Sequence, residues 1–209
     1  MSPHESRQAE LPAVHYLLGV SSARMKYVFL AILAIAVQSC QRTPATRASQ
    51  PMKTEPWWSY LADYDGLPGS TLVNLALKTR APMHDRTTLL VTGVSYESAP
   101  KDSGLPDAVE LEFLNRLSDK RLTFVTAHSA ALFVGSFTHK NEQLDYIYVV
   151  DAASLGSALR DFYKTECPAR RPYINIKSDP HWEAYLDFLY PNAQTIEYYR
   201  AELLKLGAL

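Results

Sequence analysis

Cysteine is scarce in this chain. There are two, Cys40 and Cys167, too few for a disulfide scaffold. Glycine is sparse as well, with eight residues, and no GxxxxGK run offers backbone N–H groups to a phosphate. The net charge is -1. Removing residues 1–39 takes away Arg7, Arg24, Lys26, Glu5 and Glu10 and leaves the balance nearly even. A phosphate backbone needs a broad basic face, so no nucleic-acid partner is expected. His84, His128, His139 and His181 follow no zinc spacing. HExxH, CxxC and histidines paired at helical spacing are all missing, and no metal or other cofactor is expected. There is no GxSxG elbow for a nucleophilic serine, and Cys167, followed by Pro168, has no evident base.

What is present is a globular composition. Hydrophobic residues make up 47% and charged residues 21% of 209, enough for a core and a prior for one domain, at most two. The N-terminal region stands apart. From Met25 it reads MKYVFLAILAIAVQSC, with Lys26 as a basic start and residues 27–37 as an apolar stretch. That stretch has the length of a secretory signal core and is short of the roughly 20 residues a helix needs to cross a bilayer.

The stretch closes on Val37-Gln38-Ser39-Cys40. This resembles the lipobox of bacterial lipoproteins: an aliphatic residue, then a small residue directly before cysteine, with Gln38 a departure between them. The resemblance implies diacylation of the Cys40 thiol, cleavage before it and acylation of the new amine. Several acyl chains make a stable anchor where one is marginal. The alternative is an ordinary anchor or cleaved signal with a coincidental cysteine. Residues 1–24 carry Glu5 and Glu10 and no basic cluster. They are therefore read as a mis-assigned extension, with Met25 as the true start and residues 25–39 as the signal. Residues 40–56, polar and rich in proline, read as a flexible tether. Gln41 is not the aspartate associated with inner-membrane retention, so the resemblance favours the periplasmic side of the outer membrane. Cys167 is then a lone thiol in an oxidising compartment.

Residues 57–207 read as one folded domain. Residues 57–63 form a strand, and the turn formers of residues 64–69 return the chain as a second strand over 70–79. Residues 87–96 are β-branched and apolar, a third strand. Leu105-Pro106-Asp107 opens a helix with an apolar stripe of Leu114, Leu117, Leu122 and Val125 that ends near residue 127. Strands at 131–138 and 144–150 flank a polar turn at 139–142. Asp151 is the expected N-cap of a helix through Leu155, Leu159, Phe162 and Tyr163. Residues 173–177 are the last strand. Asp179-Pro180 starts a helix carrying Trp182, Tyr185, Leu186 and Leu189, Pro191 stops it, and residues 192–206 form a final amphipathic helix. From the third strand on, the order predicts an α+β fold: an antiparallel sheet with a ferredoxin-like βαββαβ core, extended by the N-terminal hairpin. The two C-terminal helices are expected to pack at one end.

Four features carry a family resemblance. They are the Trp-rich first strand with Asp65-Gly66 leading to Val73-Asn74; Gly104-Leu105-Pro106; Phe133-Val134-Gly135 followed by Tyr146-Ile147-Tyr148; and Asp179-Pro180-His181-Trp182-Glu183-Ala184-Tyr185 closing on Leu189-Tyr190-Pro191. Together they resemble the bacterial domain-of-unknown-function family 695, from about residue 57 to 191. Ser118-Asp119 stands where an acidic pair is expected. The resemblance implies a fold and no activity. The family is distantly similar to the regulator of ribonuclease E activity B family, a protein-binding inhibitor of a cytoplasmic nuclease. Fold likeness does not carry function across, and a lipid-anchored domain outside the cytoplasm would not meet that nuclease.

Two groups of residues are candidate sites. On a helix His181 and Tyr185 share a face, as do Trp182 and Tyr185, and with Asp179 they could support acid–base chemistry. The same residues read equally well as an N-cap and a core anchor. The chain also has thirteen tyrosines and three tryptophans. Trp57, Trp58, Tyr60 and Tyr64 crowd the first hairpin, and Tyr146 and Tyr148, two apart on a strand, point to one face. Aromatics with polar tips suit either an interface or packing beneath helices. Arg170-Arg171 is a small basic spot with no partner implied. The expected function is a non-catalytic interaction module in the cell envelope, held on the membrane by lipid and acting on another envelope protein. The alternatives are a small-ligand sensor or enzyme using Asp179, His181 and Tyr185, and a purely structural lipoprotein.

Overall fold

The computed structural model describes residues 56–97 and 104–207. Strand β1 (Trp57–Tyr64) turns into β2 (Leu67–Asn74) through Asp65 and Gly66, whose φ angles of 56° and 79° form the two-residue turn that matches the twist of the strands. The Asp63 carboxylate accepts from the Gly66 N–H at 2.9 Å and holds that turn. β2 is shorter than the sequence suggests. At Asn74 the side chain accepts from the Ala76 N–H at 3.0 Å and starts a 3-10 turn over Leu75–Thr79 that buries Leu75 and Leu77. The local cap there overrides the apolar run.

β3 (Thr88–Ser95) leads to α1 (Ala108–His128), capped by Asp107, which accepts from the Glu110 N–H at 2.8 Å. β4 (Ala131–His139) and β5 (Glu142–Val149) form a second tight hairpin, with Lys140 and Asn141 both at positive φ. α2 spans Leu155–Glu166. Asp151 does not cap it: its carboxylate closes a local turn on the Ala153 N–H, and Ser154 is the N-cap. β6 (Pro172–Ser178) is followed by a π-helical turn (Ala184–Leu189), α3 (Ala193–Tyr198) and α4 (Arg200–Lys205). The expected single final helix is thus two, broken at Tyr199. Its ring meets Trp58 edge-on at 5.2 Å and its hydroxyl donates to the Leu61 carbonyl.

The six strands lie in the order β1-β2-β4-β5-β3-β6, each pair antiparallel. β3 to β6, with α1 and α2, make the ferredoxin-like core, and the N-terminal hairpin extends it at β4. That junction depends on Gly135. A Cβ there would lie 2.3 Å from the Leu72 carbonyl oxygen, and a bulge between Phe133 and Gly135 adjusts the register. Only glycine lets β2 come this close.

Both faces of the sheet are covered. On one, Leu114, Leu117 and Val125 of α1 and Leu155, Leu159 and Tyr163 of α2 pack on Leu90, Val94, Ile147 and Val149. On the other, Trp182, Tyr185, Leu189 and Leu203 pack on Trp58, Tyr60, Val73, Leu89, Val134 and Tyr148. The C-terminal segment therefore lies across the face opposite α1 and α2 and does not stack at an end of the sheet. This explains the continuous burial of β3, which a one-sided sheet would leave alternating.

Candidate functional site

The Asp179 segment is built as a knot in the core. Asp179 Oδ1 accepts from the Glu183 N–H at 2.9 Å, and Oδ2 from the Ala184 N–H at 3.1 Å and the Tyr148 hydroxyl at 2.7 Å. Glu183, and not Asp179, is the N-cap of the π-helical turn, but the Asp179 carboxylate binds the backbone N–H groups at the start of that turn and ties it to β5. Trp182 sits with φ at 57°, a conformation that costs a bulky residue about 1–3 kcal/mol. What holds it there is a parallel stack on Tyr148 at 3.9 Å and a hydrogen bond from its indole N–H to the Arg86 carbonyl at 2.8 Å. The Tyr185 hydroxyl donates to the Asn74 carbonyl at 2.7 Å. Burial first, then the Asp179 hydrogen bond, pushes the Tyr148 hydroxyl far above its ordinary value near 10. Burial does the same at Tyr185. These hydroxyls keep their protons and brace the backbone. Trp182→Ala is expected to lower stability by about 4 kcal/mol, read from the urea midpoint. A loss under about 1 kcal/mol would contradict the anchor role.

His181 does not join this group. It is exposed, while Asp179, Trp182 and Tyr185 are buried. The other predicted residues also separate. Trp58 is in the core, stacked on Tyr60 at 5.0 Å. Trp57 is 37% exposed on the helix-covered side and stacks on Phe133 at 5.3 Å. Tyr146 and Tyr148 do share a face, but Tyr148 is sealed beneath Trp182. Of the predicted aromatic surface, Trp57 is exposed, and Tyr146 is buried and reaches the surface only as a lining residue of a groove. Cys40 lies outside the described residues.

Tyr146 lies in a groove of about 230 Å³ beside β6. Val91 and Tyr146 line its floor, Phe188 one wall, and Tyr173, Asn175 and Lys177 the β6 side. The Tyr146 ring tilts against Phe188 at 5.7 Å, and burial first, then Tyr173 and Tyr64, raises its hydroxyl well above the ordinary value. The volume is below the roughly 300–1,000 Å³ of sites that enclose a small-molecule ligand. It suits one or two side chains of a partner. The alternation in Tyr173-Ile174-Asn175-Ile176-Lys177 was the available signal: isoleucines toward α2, polar tips toward the groove.

A second feature is a buried charged network across the helix-covered face. Arg121 and Asp145 form an ion pair with both side chains 1% exposed. The Arg121 Nε donates to Asp145 Oδ2 at 2.8 Å, its Nη2 donates to the same oxygen, and Ser118 Oγ donates to it at 2.7 Å. Arg121 Nη1 reaches the Tyr163 hydroxyl at 3.2 Å, which bonds Thr92 Oγ1 at 2.7 Å, and Thr92 donates to the Tyr173 carbonyl at 2.9 Å. Burial, the largest cause, works against the guanidinium charge, but the Asp145 carboxylate and the Tyr163 hydroxyl together outweigh it, and the Arg121 pKa is raised. The sequence carried a sign of this. Leu114, Leu117, Arg121 and Val125 are spaced three, four and four, so Arg121, and not the half-exposed Leu122, completes the buried stripe of α1.

Among the described residues no three His, Cys, Asp or Glu side chains are grouped to hold a metal ion, and no helix is long and apolar enough to cross a membrane. A family model matches residues 55–190, that of a family of unknown function, DUF695. No curated protein and no solved structure matches the chain.

Proposed function

Since the chain belongs to DUF695, a family of unknown function, we propose a role from its own geometry: a non-catalytic module that binds a protein partner in the cell envelope, held on the membrane by lipid at Cys40. The observation that carries the binding role is the groove beside β6. It has an aromatic floor, a size that fits side chains, and the exposed polar tips of Tyr173, Asn175 and Lys177 along its rim. Such a surface, apolar within and polar at its margin, is the pattern of a protein interface. The Asp179 carboxylate and the Tyr148 and Tyr185 hydroxyls are engaged in holding the C-terminal segment. His181, exposed and apart from them, gives the sensor or enzyme alternative no support.

The anchoring part rests on Val37-Gln38-Ser39-Cys40 after the apolar stretch. Cys40→Ser is expected to move the protein from the membrane fraction to the soluble fraction, with the wild-type mature N-terminus carrying acyl mass at Cys40. An unmodified peptide spanning Ser39 and Cys40 would refute the anchor. For the binding role, a photo-crosslinker placed at Asn175 in cells is expected to give a discrete protein adduct, and one at the exposed Thr123 on α1 is not. Equal labelling from both, or none from either, would refute the groove as the binding surface.

A further inference from the structure

The outer edge of β6 is an unused hydrogen-bonding surface. β6 is the end strand of the sheet and pairs with β3 alone among the described strands. The Ser95 N–H donates to the Arg171 carbonyl at 3.0 Å and the Asp179 N–H to the Thr87 carbonyl at 2.7 Å. Both pairs continue the Thr88↔Ser178 register. In an antiparallel ladder, hydrogen-bonded pairs recur at every second residue. Odd-numbered residues of β6 therefore bond inward, and Ile174, Ile176 and Ser178 direct their N–H and C=O groups outward. The register with β3 runs without a bulge, so only Pro172 and Lys177 stand among the devices that blunt an open edge.

Three cations stand along or beside this edge. Arg171 precedes β6, Lys177 lies near its end, and Arg160 of α2 flanks it. A point at Cβ distance from Gly156 lies 3.7 Å from Ile176 Cδ1 and 3.9 Å from Arg160 Nη1, which sets the guanidinium beside the strand. Arg160, Arg171 and Lys177 have no carboxylate partner among the described residues, as is also true of Lys78, Arg80 and Lys205 elsewhere in the domain, whereas Arg86, Arg116, Lys120, Arg121, Lys140, Lys164, Arg170 and Arg200 each have one. The exposed carboxylates next in sequence to the groove lining are Glu183, the N-cap of the π-helical turn, and Asp187 within that turn.

We infer that the partner contributes an extended, acidic segment that adds to β6 as a seventh strand, a deepening that rests on the binding-module reading. Main-chain bonds to Ile174 and Ile176 supply affinity, carboxylates meet Arg160, Arg171 and Lys177, and alternate side chains lie toward the groove. A second copy of the chain is the disfavoured occupant, because pairing β6 with β6 brings two sets of the same unpaired cations together.

The test uses the full chain and a fluorescent peptide of alternating glutamate and valine, with fluorescence anisotropy and amide hydrogen exchange as readouts. The peptide is expected to bind and to slow exchange at Ile174 and Ile176. Methylating alternate peptide amides on the pairing edge is expected to weaken binding at least tenfold, as is the double variant Arg171→Glu/Lys177→Glu. A lysine–valine peptide is expected not to bind. Absent binding, indifference to amide methylation, equal binding of the lysine peptide, or protection elsewhere overturns the inference. So does a peptide-free dimer protected at Ile174 and Ile176, which gives the edge to a second copy. If Asn175 crosslinks a partner in cells but the acidic peptide does not bind, the module reading stands and strand addition falls.

Discussion

Asp145→Ala is expected to lower the stability of the domain by about 4 kcal/mol, the cost of leaving a buried charge without its partner. Arg121 is 1% exposed and directs Nε and Nη2 at one carboxylate oxygen. Without Asp145, that guanidinium has neither water nor an anion, and Ser118 loses its acceptor. The damage extends past the pair. Tyr163, Thr92 and the Tyr173 carbonyl are chained to Arg121, so α1, α2, β3 and β6 all lean on one carboxylate. The double variant Arg121→Met/Asp145→Leu removes both charges and is expected to recover most of the loss, since apolar replacement of a buried ion pair avoids the desolvation penalty. Urea unfolding of the three proteins measures this. A loss under about 1 kcal/mol for Asp145→Ala, or a double variant no better than the single, would contradict the account.

Alkaline solution is expected to unfold the domain from about pH 10 upward. Burial, as the first cause, holds the hydroxyls of Tyr60, Tyr96, Tyr146, Tyr148 and Tyr185 far above their ordinary value near 10. Each is at most 8% exposed. Below pH 10 both folded and unfolded chains keep these protons, and the tyrosines add no pH dependence. Above it the unfolded chain releases them while the folded chain retains them. The unfolded state then binds fewer protons, so stability falls as pH rises toward the folded values. Each such tyrosine contributes a slope approaching about 1.4 kcal/mol per pH unit. Five together reach roughly 7 kcal/mol by about pH 11, comparable with the 5–15 kcal/mol stability of ordinary domains. Ultraviolet titration and circular dichroism should show tyrosine ionisation and loss of structure in one cooperative step. Smooth ionisation centred near pH 10 with the fold intact would refute it.

Much of the architecture was legible in the sequence because its causes are local. Asp65-Gly66 and Lys140-Asn141 adopt the positive φ angles of two-residue hairpins. Asp107 and Asn192 cap their helices with short hydrogen bonds to the backbone three residues on. Hydrophobic periodicity placed the strands and both main helices, and their order was enough for a ferredoxin-like core. The misplaced boundaries at residues 70–79 and at Asp151 arose where a side chain bonded the backbone next to it and diverted the chain.

The candidate site was less legible. Helical spacing placed His181 and Tyr185 on one face, yet the chain is not α-helical there. It reverses at Trp182, with φ at 57°, and continues as a π-helical turn from Ala184, so the 3.6-residue period does not apply. Tyr185 is turned into the core and His181 is left outside.

The sequence by itself determined the α+β class, the order of the elements and the aromatic character of one sheet face, because turn chemistry, caps and alternation act within a few residues. Only the tertiary structure decided that the C-terminal segment covers that face, that Arg121 pairs with Asp145 beneath α1, and that β6 ends the sheet beside a groove. Those outcomes depend on which distant segments meet. Burial against a partner far along the chain is a property of the folded whole, which no local pattern of residues encodes.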